Sequence, residues 1–553
     1  MHTFDIVLKN AQVITMDPGR PRAGWVAIRD GRIGHIGGAG SQGPERARLR
    51  VVDCKGATVV PGFTDPHMHL RSFAQSLVTL QVGPGSGVRS IEDIVDRVRS
   101  HCRDLAPGTW IRCAGYNEFY LLEKRHPSRR DLDRATTRHP VKLTHRTGHA
   151  HVLSSLALGL TGISLETPDP EGGYIERDPS TGEPTGLVYG MGDLLARRIP
   201  PLEIRELDQG VRMANGRILS LGITAIQDAS ARNDASRRQT FARWREEGLF
   251  TPEVSMMLGV EGFRQCCDRH ETLGPAPGGP HPPAVKVVVH ETTGRVHPPV
   301  SELCDLALRI HRTGLQAAFH AVEPACVEAA CTAVEYALKR LPRRDHRHRI
   351  EHCSLCSPSL ARRLAAAGIV VVTQPAFLFH HGDRYLQTVP AGQLDSLYPV
   401  ASLLQSGVPV AGSSDCPIAP PDPLTGIYAA VTRKTETGRF VAVSEAVTPQ
   451  QALRMFTSLA AFSAFQERER GSVETGKWAD LVVLSADPTG VPFEEIRTIE
   501  VLMTICRGSV VWERGSTSVS ENPFEATGGA TWSRGGQGGD FFCNRPELGV
   551  KRP

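Results

Sequence analysis

Two histidines at a spacing of two, His67 and His69, follow an apolar run that ends at Asp65 in PGFTDPHMHL. On an extended segment residues i and i+2 share a face, so both imidazoles can reach one ion. Neutral imidazole is the commonest metal ligand and suits zinc, iron, nickel or cobalt. Taken alone, the pair reads equally well as two turn histidines. Three further residues change the balance: His320 closes LQAAFH, His352 closes HRIEH and Asp415 closes VPVAGSSD. Each stands where an apolar run stops. In a parallel barrel that position is the C-terminal rim, where active-site groups gather from different strands.

Lys286 lies inside the apolar AVKVVVH, where an unpaired ammonium is costly to bury. Desolvation lowers the pKa of a lysine and makes the neutral amine available. Such an amine can take up CO2 as a carbamate whose two oxygens bridge two cations; the alternative is a core lysine paired with a carboxylate. His290 and Glu291 close the same run as competing ligands or neighbours of the site. The set is expected to hold a divalent metal, zinc first, as one or two ions per chain.

Other motifs carry less. GSVETGKW at residues 471–478 has the glycines and lysine of a phosphate loop, but Trp478 replaces the required hydroxyl residue and no strand precedes it. Cys353 and Cys356 form a C-x-x-C without a second pair at zinc-ribbon spacing, and they directly follow His352. Neither HExxH nor GxSxG occurs.

The elements that must position these residues have a legible pattern. The first sixty residues alternate short apolar runs with turns (DIVLKNAQVIT, WVAIRDGRIGHIG, ATVVPGF) and predict small strands. From residue 61 to 474, apolar runs at 62–65, 223–228, 285–290, 315–320, 369–374 and 408–412 alternate with helical patterns such as SELCDLALRIHRTG and PACVEAACTAVEYALKR. That alternation predicts an α/β fold, a closed (β/α)8 TIM barrel. Residues 71–215 are too long for one strand–helix pair and predict an insert, with EGGYIERDPSTGEPTGLVYG a loop or hairpin over the barrel mouth. Strand texture returns in WADLVVLSADP and IEVLMTICRGSVVWERG, so residues 1–60 and 475–515 are expected to form one β-sandwich. Residues 516–553, rich in Gly, Ser and Pro, predict an irregular tail.

Composition restricts the function classes. A chain of 553 residues with 40% hydrophobic and 22% charged residues is globular, and too large for one core. Its net charge of +4, without a basic block, offers nothing to nucleic acid or to an acidic membrane surface. No run approaches the roughly 20 apolar residues of a membrane helix, and the N-terminus lacks a signal-peptide pattern. Thirteen scattered cysteines fit reduced thiols, so a cytoplasmic location is expected.

PGFTDPHMHL, VKLTHRTGHAHVLSS, VKVVVHETTGR, QAAFHAVE, RIEHCSL, VTQPAFLFHHGDRY and GSSDCPIAPPDPLTGIYAAVTRKTETG together resemble the amidohydrolase superfamily. Within it they resemble the branch of N-substituted formamide deformylases and imidazolonepropionase-like hydrolases. The resemblance spans roughly residues 4–515. It implies a (β/α)8 barrel with a β-sandwich from both termini, metal ligands at His67, His69, His320, His352 and Asp415, and a carboxylated Lys286. An Asp-Gly pair often stands in relatives where this chain has His290 and Glu291, which bears on the substrate pocket there.

The implied chemistry is hydrolysis of a C–N bond in a small-molecule amide, such as an N-substituted formamide. A divalent ion lowers the pKa of its water towards about 7 and polarises the carbonyl, with Asp415 carrying the proton to the departing nitrogen. His149 is the candidate partner of the developing oxyanion. Tyr116, His290, Tyr385 and Arg433 are candidates for contacting substrate, against the commoner readings of core aromatics and a solvated arginine. On the same scaffold the alternatives are a cyclic amide or carbamate hydrolase or a deaminase. A different class is a non-catalytic metal-binding paralogue, against which the retained Asp415 argues. A homodimer is a further expectation.

Overall fold

The structure is a computed structural model and describes residues 5–38, 40, 50–170, 172–269, 284–292 and 294–516. The expected tail, apart from Ser516, lies outside the described residues.

Short apolar runs become strands, most of them buried on both faces, as parallel strands covered by helices must be. In chain order these are β1 (Phe63–Met68), β2 (Ile223–Asp228), β3 (Glu253–Met256), β4 (Ala284–Val288), β5 (Gln316–Ala321), β6 (Arg349–His352), β7 (Val370–Thr373) and β8 (Val410–Gly412). β1, β2 and β3 form one parallel ladder and β4 to β8 another. Leu258–Gly259, just past β3, pairs with β4. The segment after β8 meets β1 through Asp415 N donating to His67 O (2.9 Å) and His69 N donating to Cys416 O (2.8 Å). Helices Ile204–Ser220, Ala235–Glu246, Val300–Arg312, Pro324–Arg340 and Pro358–Ala366 lie between successive strands. This mixed α/β architecture is consistent with a TIM-barrel-type fold. β3 is a strand that periodicity alone did not indicate.

Residues 80–189 build a separate six-stranded sheet, in the order Tyr174–Arg177, Pro184–Tyr189, Ala150–Leu153, Val141–His145, Ile111–Tyr116 and Leu80–Gln81. The expected hairpin is present: Tyr174–Arg177 pairs antiparallel with Pro184–Tyr189. The sheet has its own apolar core, with Val95, Val98, Leu143 and Val152 among its members. The helix Ile91–His101 starts on a capping box, Ser90 Oγ accepting from Asp93 N and Asp93 accepting from Ser90 N, which satisfies two donors that the helix would otherwise leave open. Leu70–Leu77 packs on Ile204–Ser220 where Gly210 allows close approach; a Cβ there would lie 2.2 Å from Ala74 O.

Both chain ends share one sheet, because Thr58–Pro61 pairs antiparallel with Leu481–Leu484. A second sheet, from strands within residues 6–53, lies across a common apolar cluster of Leu8, Val26, Ile28, Val59, Leu481 and Ile505. Residues 473–479 lie along this assembly, with Gly476 N bonded to Ile33 O and Ala479 N to Gly31 O, and Lys477 Nζ is spent on Glu474 and Ser472.

Below the strands three buried histidines hold fixed tautomers. Ala317 N donates to His348 Nδ1 (2.9 Å), so His348 Nε2 carries the proton that reaches His311 Nδ1 (2.8 Å), and His311 Nε2 donates to Leu341 O (2.7 Å). His346 accepts from His348 N and donates to Ala367 O. Burial and the neighbouring His346 and Arg343 hold His348 well below the ordinary 6.5. The unfolded chain therefore takes up a proton below that pH that the native chain refuses. Stability contributed here is intact above about pH 6.5 and falls with pH at up to about 1.4 kcal/mol per unit. Chelator-treated wild type should lose more denaturant stability between about pH 7.5 and 5.5 than His348→Gln does; equal losses would refute the assignment.

Candidate metal and active site

At the C-terminal ends of β1 and β8, imidazoles meet a carboxylate. His69 Nε2 lies 3.0 Å and His67 Nε2 3.5 Å from Asp415 Oδ1. One ligand atom from each of His67, His69 and Asp415 falls within 4.8 Å of the others, a donor set that fits a divalent cation. The ring orientations are set by second partners. Glu351 Oε2 bonds His67 Nδ1, which places the proton there and leaves Nε2 free, and Ser230 Oγ bonds His69 Nδ1 at 3.1 Å. Burial holds His67 and His320 well below the ordinary imidazole value. Burial would raise the Asp415 carboxyl, but the His69 bond and the neighbouring His67 and His352 hold it below the ordinary value. Burial thus favours the neutral ring at His67 and His320, and the Asp415 carboxyl is held towards its ionised form.

Lys286, on β4, is 3% exposed, and its Nζ lies 3.3 Å from His67 Nε2. Burial pushes its ammonium down to about 8 against the opposing pull of Glu351 and Asp415. His352 Nε2 and His320 Nδ1 face each other at 2.9 Å, and the His67 and His352 ring centroids are 5.0 Å apart. Gln374 gives its amide N–H to Ser413 Oγ (2.9 Å), so its carbonyl oxygen receives the His352 Nδ1 proton at 2.7 Å. Lys286 and His352 thus neighbour His67, and His320 joins them through His352, while among the described His, Cys, Asp and Glu residues His67, His69 and Asp415 are the ones whose ligand atoms lie close enough together for one ion.

Two of these residues sit in left-handed backbone, His352 at φ 74° and Asp415 at φ 55°. Such conformations cost non-glycine residues energy and persist where surroundings over-determine them. For Asp415 the surroundings are the Asp65 carboxylate, which accepts from Ser414 Oγ, from Ser414 N (3.2 Å) and from His67 N (3.2 Å).

The other expected residues are placed less uniformly. His149 is exposed, on the turn between Val141–His145 and Ala150–Leu153, within electrostatic range of His320. Tyr385 is half-buried, its hydroxyl 3.2 Å from that of Tyr398. Three expectations are corrected. Tyr116 is fully buried in the core of the insert, and its hydroxyl is taken by His126 (2.9 Å), so it has no surface to offer a substrate. His290 does not end β4; it opens an exposed hairpin, pairing with His297. Arg433 is not solvated: it is 0% exposed, with its guanidinium bonded to the carbonyls of Leu397, Tyr398, Val441 and Ala442. A guanidinium satisfies buried carbonyls that no regular ladder reaches.

Glu351, Arg349, Ser230 and Gln374 were not identified by sequence reasoning. Arg349 binds Glu351 and donates to Gln227 Oε1 (2.8 Å) and Pro66 O (2.7 Å), all buried. A signal did exist: two charged residues alternate within the buried RIEH, where each must find a partner.

Residues 50–512 match the amidohydrolase family profile. The chain is 30% identical over 545 residues to an N-substituted formamide deformylase of Arthrobacter pascens, covering 92% of this chain and 98% of that protein. It is 28% identical over 498 residues to a putative amidohydrolase, YtcJ, of Bacillus subtilis, covering 84% and 90%. The crystal structure of an uncharacterized metal-dependent hydrolase from Pyrococcus horikoshii superposes with a TM-score of 0.70 at 21% identity, covering 88% of this chain and 99% of that one. At that identity the likeness shows the fold alone.

Removing the partner of His69 should weaken ion binding without unfolding the chain. Ser230→Ala is expected to lower divalent-ion affinity by about tenfold, the low end for loss of a group that orients a ligand, measured by competition with a chelator. Unchanged affinity would show that Ser230 does not orient His69.

Proposed function

The chain belongs to the amidohydrolase family, as a metal-dependent hydrolase acting on C–N bonds, and on that premise we propose that its substrate is a small linear amide of the N-substituted formamide type. The observation that carries the hydrolytic reading is Asp415, an ionised carboxylate held between His67 and His69. The relative from Arthrobacter pascens supports the choice of formamides. The parallel strands joined end to end at residues 415 and 67 support a closed (β/α)8 barrel, and the two end sheets over one apolar core support a β-sandwich.

His67, His69, His320, His352 and Asp415 would hold the ion, for which zinc suits the imidazole and carboxylate donors. When bound, a divalent ion lowers the pKa of a water towards about 7 and polarises the amide carbonyl. Lys286, with its amine partly neutral at physiological pH, would add CO2: a bond forms between Nζ and carbon, one N–H proton is released, and the carbamate oxygens supply ligands for a second ion. Asp415 takes a proton from the attacking water and delivers it to the departing nitrogen. His149 donates to the carbonyl oxygen as negative charge develops there.

Asp415→Asn is expected to lower kcat on N-substituted formamides by about a hundred- to ten-thousandfold, measured on protein of known metal content. Wild type that holds metal and turns over no amide, with Asp415→Asn behaving alike, would favour a binding protein. Metal analysis should find two ions per chain, falling to one or none in Lys286→Ala. One tight ion with an unmodified Lys286 would overturn the two-ion reading.

A further inference from the structure

The turn at residues 146–149 carries two charged or titratable groups. His149 lies within electrostatic range of His320, and Arg146 extends to the helix Ala376–Thr388, where its Nη1 donates to His381 Nε2 at 2.9 Å. An imidazole nitrogen that accepts is neutral, so this contact leaves the guanidinium charge unbalanced. Arg384, on the same helix, lies over the Tyr385 ring at 5.1 Å, close enough to Arg146 to repel it, and its Nε is buried without a hydrogen-bond partner. Among the described residues three carboxylates lie in this neighbourhood, Glu118, Asp383 and the exposed Glu436, and none pairs directly with either guanidinium. Glu118 pairs with His145 (2.9 Å), and Asp383 accepts from Thr435 (3.0 Å) and Thr437 (2.6 Å). No ion pair joins Arg146 or Arg384 to a carboxylate among the described residues.

This cation pair is connected to the candidate active site. The Tyr385 hydroxyl meets that of Tyr398, whose phenol lies within electrostatic range of Asp415. Arg433 fixes the backbone of that segment through Leu397 O and Tyr398 O. Two neighbouring guanidinium groups that no carboxylate bonds directly are costly to desolvate, and their planar forks match a carboxylate. We propose that Arg146 and Arg384 form a carboxylate subsite, so that the preferred substrates are N-formylated or N-acylated amino carboxylates rather than neutral amides. The hydrolytic step rests on the function proposed above; the anion preference rests on the arginines.

The test uses the metal-loaded full chain and the N-formyl derivatives of alanine and phenylalanine, both enantiomers, each against its C-terminal carboxamide. Wild type should favour at least one carboxylate over its carboxamide by about tenfold or more in kcat/KM, as expected for hydrogen bonds to a charged group. Arg146→Met and Arg384→Met should each narrow that ratio, and Arg146→Lys should restore part of it. Calorimetric titration with the same compounds reads binding independently of turnover. Carboxylate binding that depends on Arg146, without hydrolysis, would keep the subsite and refute the hydrolase reading. Hydrolysis of carboxamides with equal or better efficiency, loss of both substrate types in equal ratio, or carboxylate binding unaffected by either variant would overturn the subsite.

Discussion

Where β1 meets the segment after β8, two backbone hydrogen bonds and one buried carboxylate fix the register on which the site depends. His67 O and Cys416 O accept across this seam, and Asp65 takes three donors from Ser414 and His67. Side chains alternate along a strand, so a slip of one residue would turn His67 and His69 away from Asp415 together. Asp65 is buried, and that burial pushes its carboxyl up to about 6. A group so costly to desolvate is retained here because it holds Asp415 in left-handed backbone beside both histidines.

The second constraint is protonation state. An imidazole binds a cation only through an unprotonated nitrogen, and in three of the four rings the far nitrogen engages a partner: Glu351 for His67, Ser230 for His69 and Gln374 for His352. Arg349 pairs with Glu351 in a fully buried setting. A buried ion pair is weak evidence for stability, and this one lies directly behind the proposed ligands. The same physics acts at the opposite ends of the strands among His311, His346 and His348, where neutral tautomers join loops to β5 and β6 rather than face an ion.

The insert supplies what the strands lack. Its sheet and core are its own, yet one of its turns carries both His149 and Arg146 to the rim. The chemistry of the metal ligands suits many C–N substrates. In the subsite proposed above, selectivity would come from residues of the insert and of the helix Ala376–Thr388.

The amino-acid sequence by itself determined the strand–helix alternation, the meeting of both ends and the set of candidate ligands at strand ends. Each is written in local periodicity or in a polar residue that stops an apolar run. β3 escaped because its four residues, EVSM, show weak alternation, and each is only partly buried. The tertiary structure decided the rest. Arg433 looked solvated in its local sequence but is fully buried, because the carbonyls it bonds include those of Leu397 and Tyr398, distant along the chain, while Tyr116 takes the core position that is commoner for an aromatic after an apolar run. Glu351 and Ser230 matter only because His67 and His69 lie beside them, 284 and 161 residues away in sequence. Periodicity reports which face of a strand is buried; which donor meets which acceptor is decided when the strands close on one another.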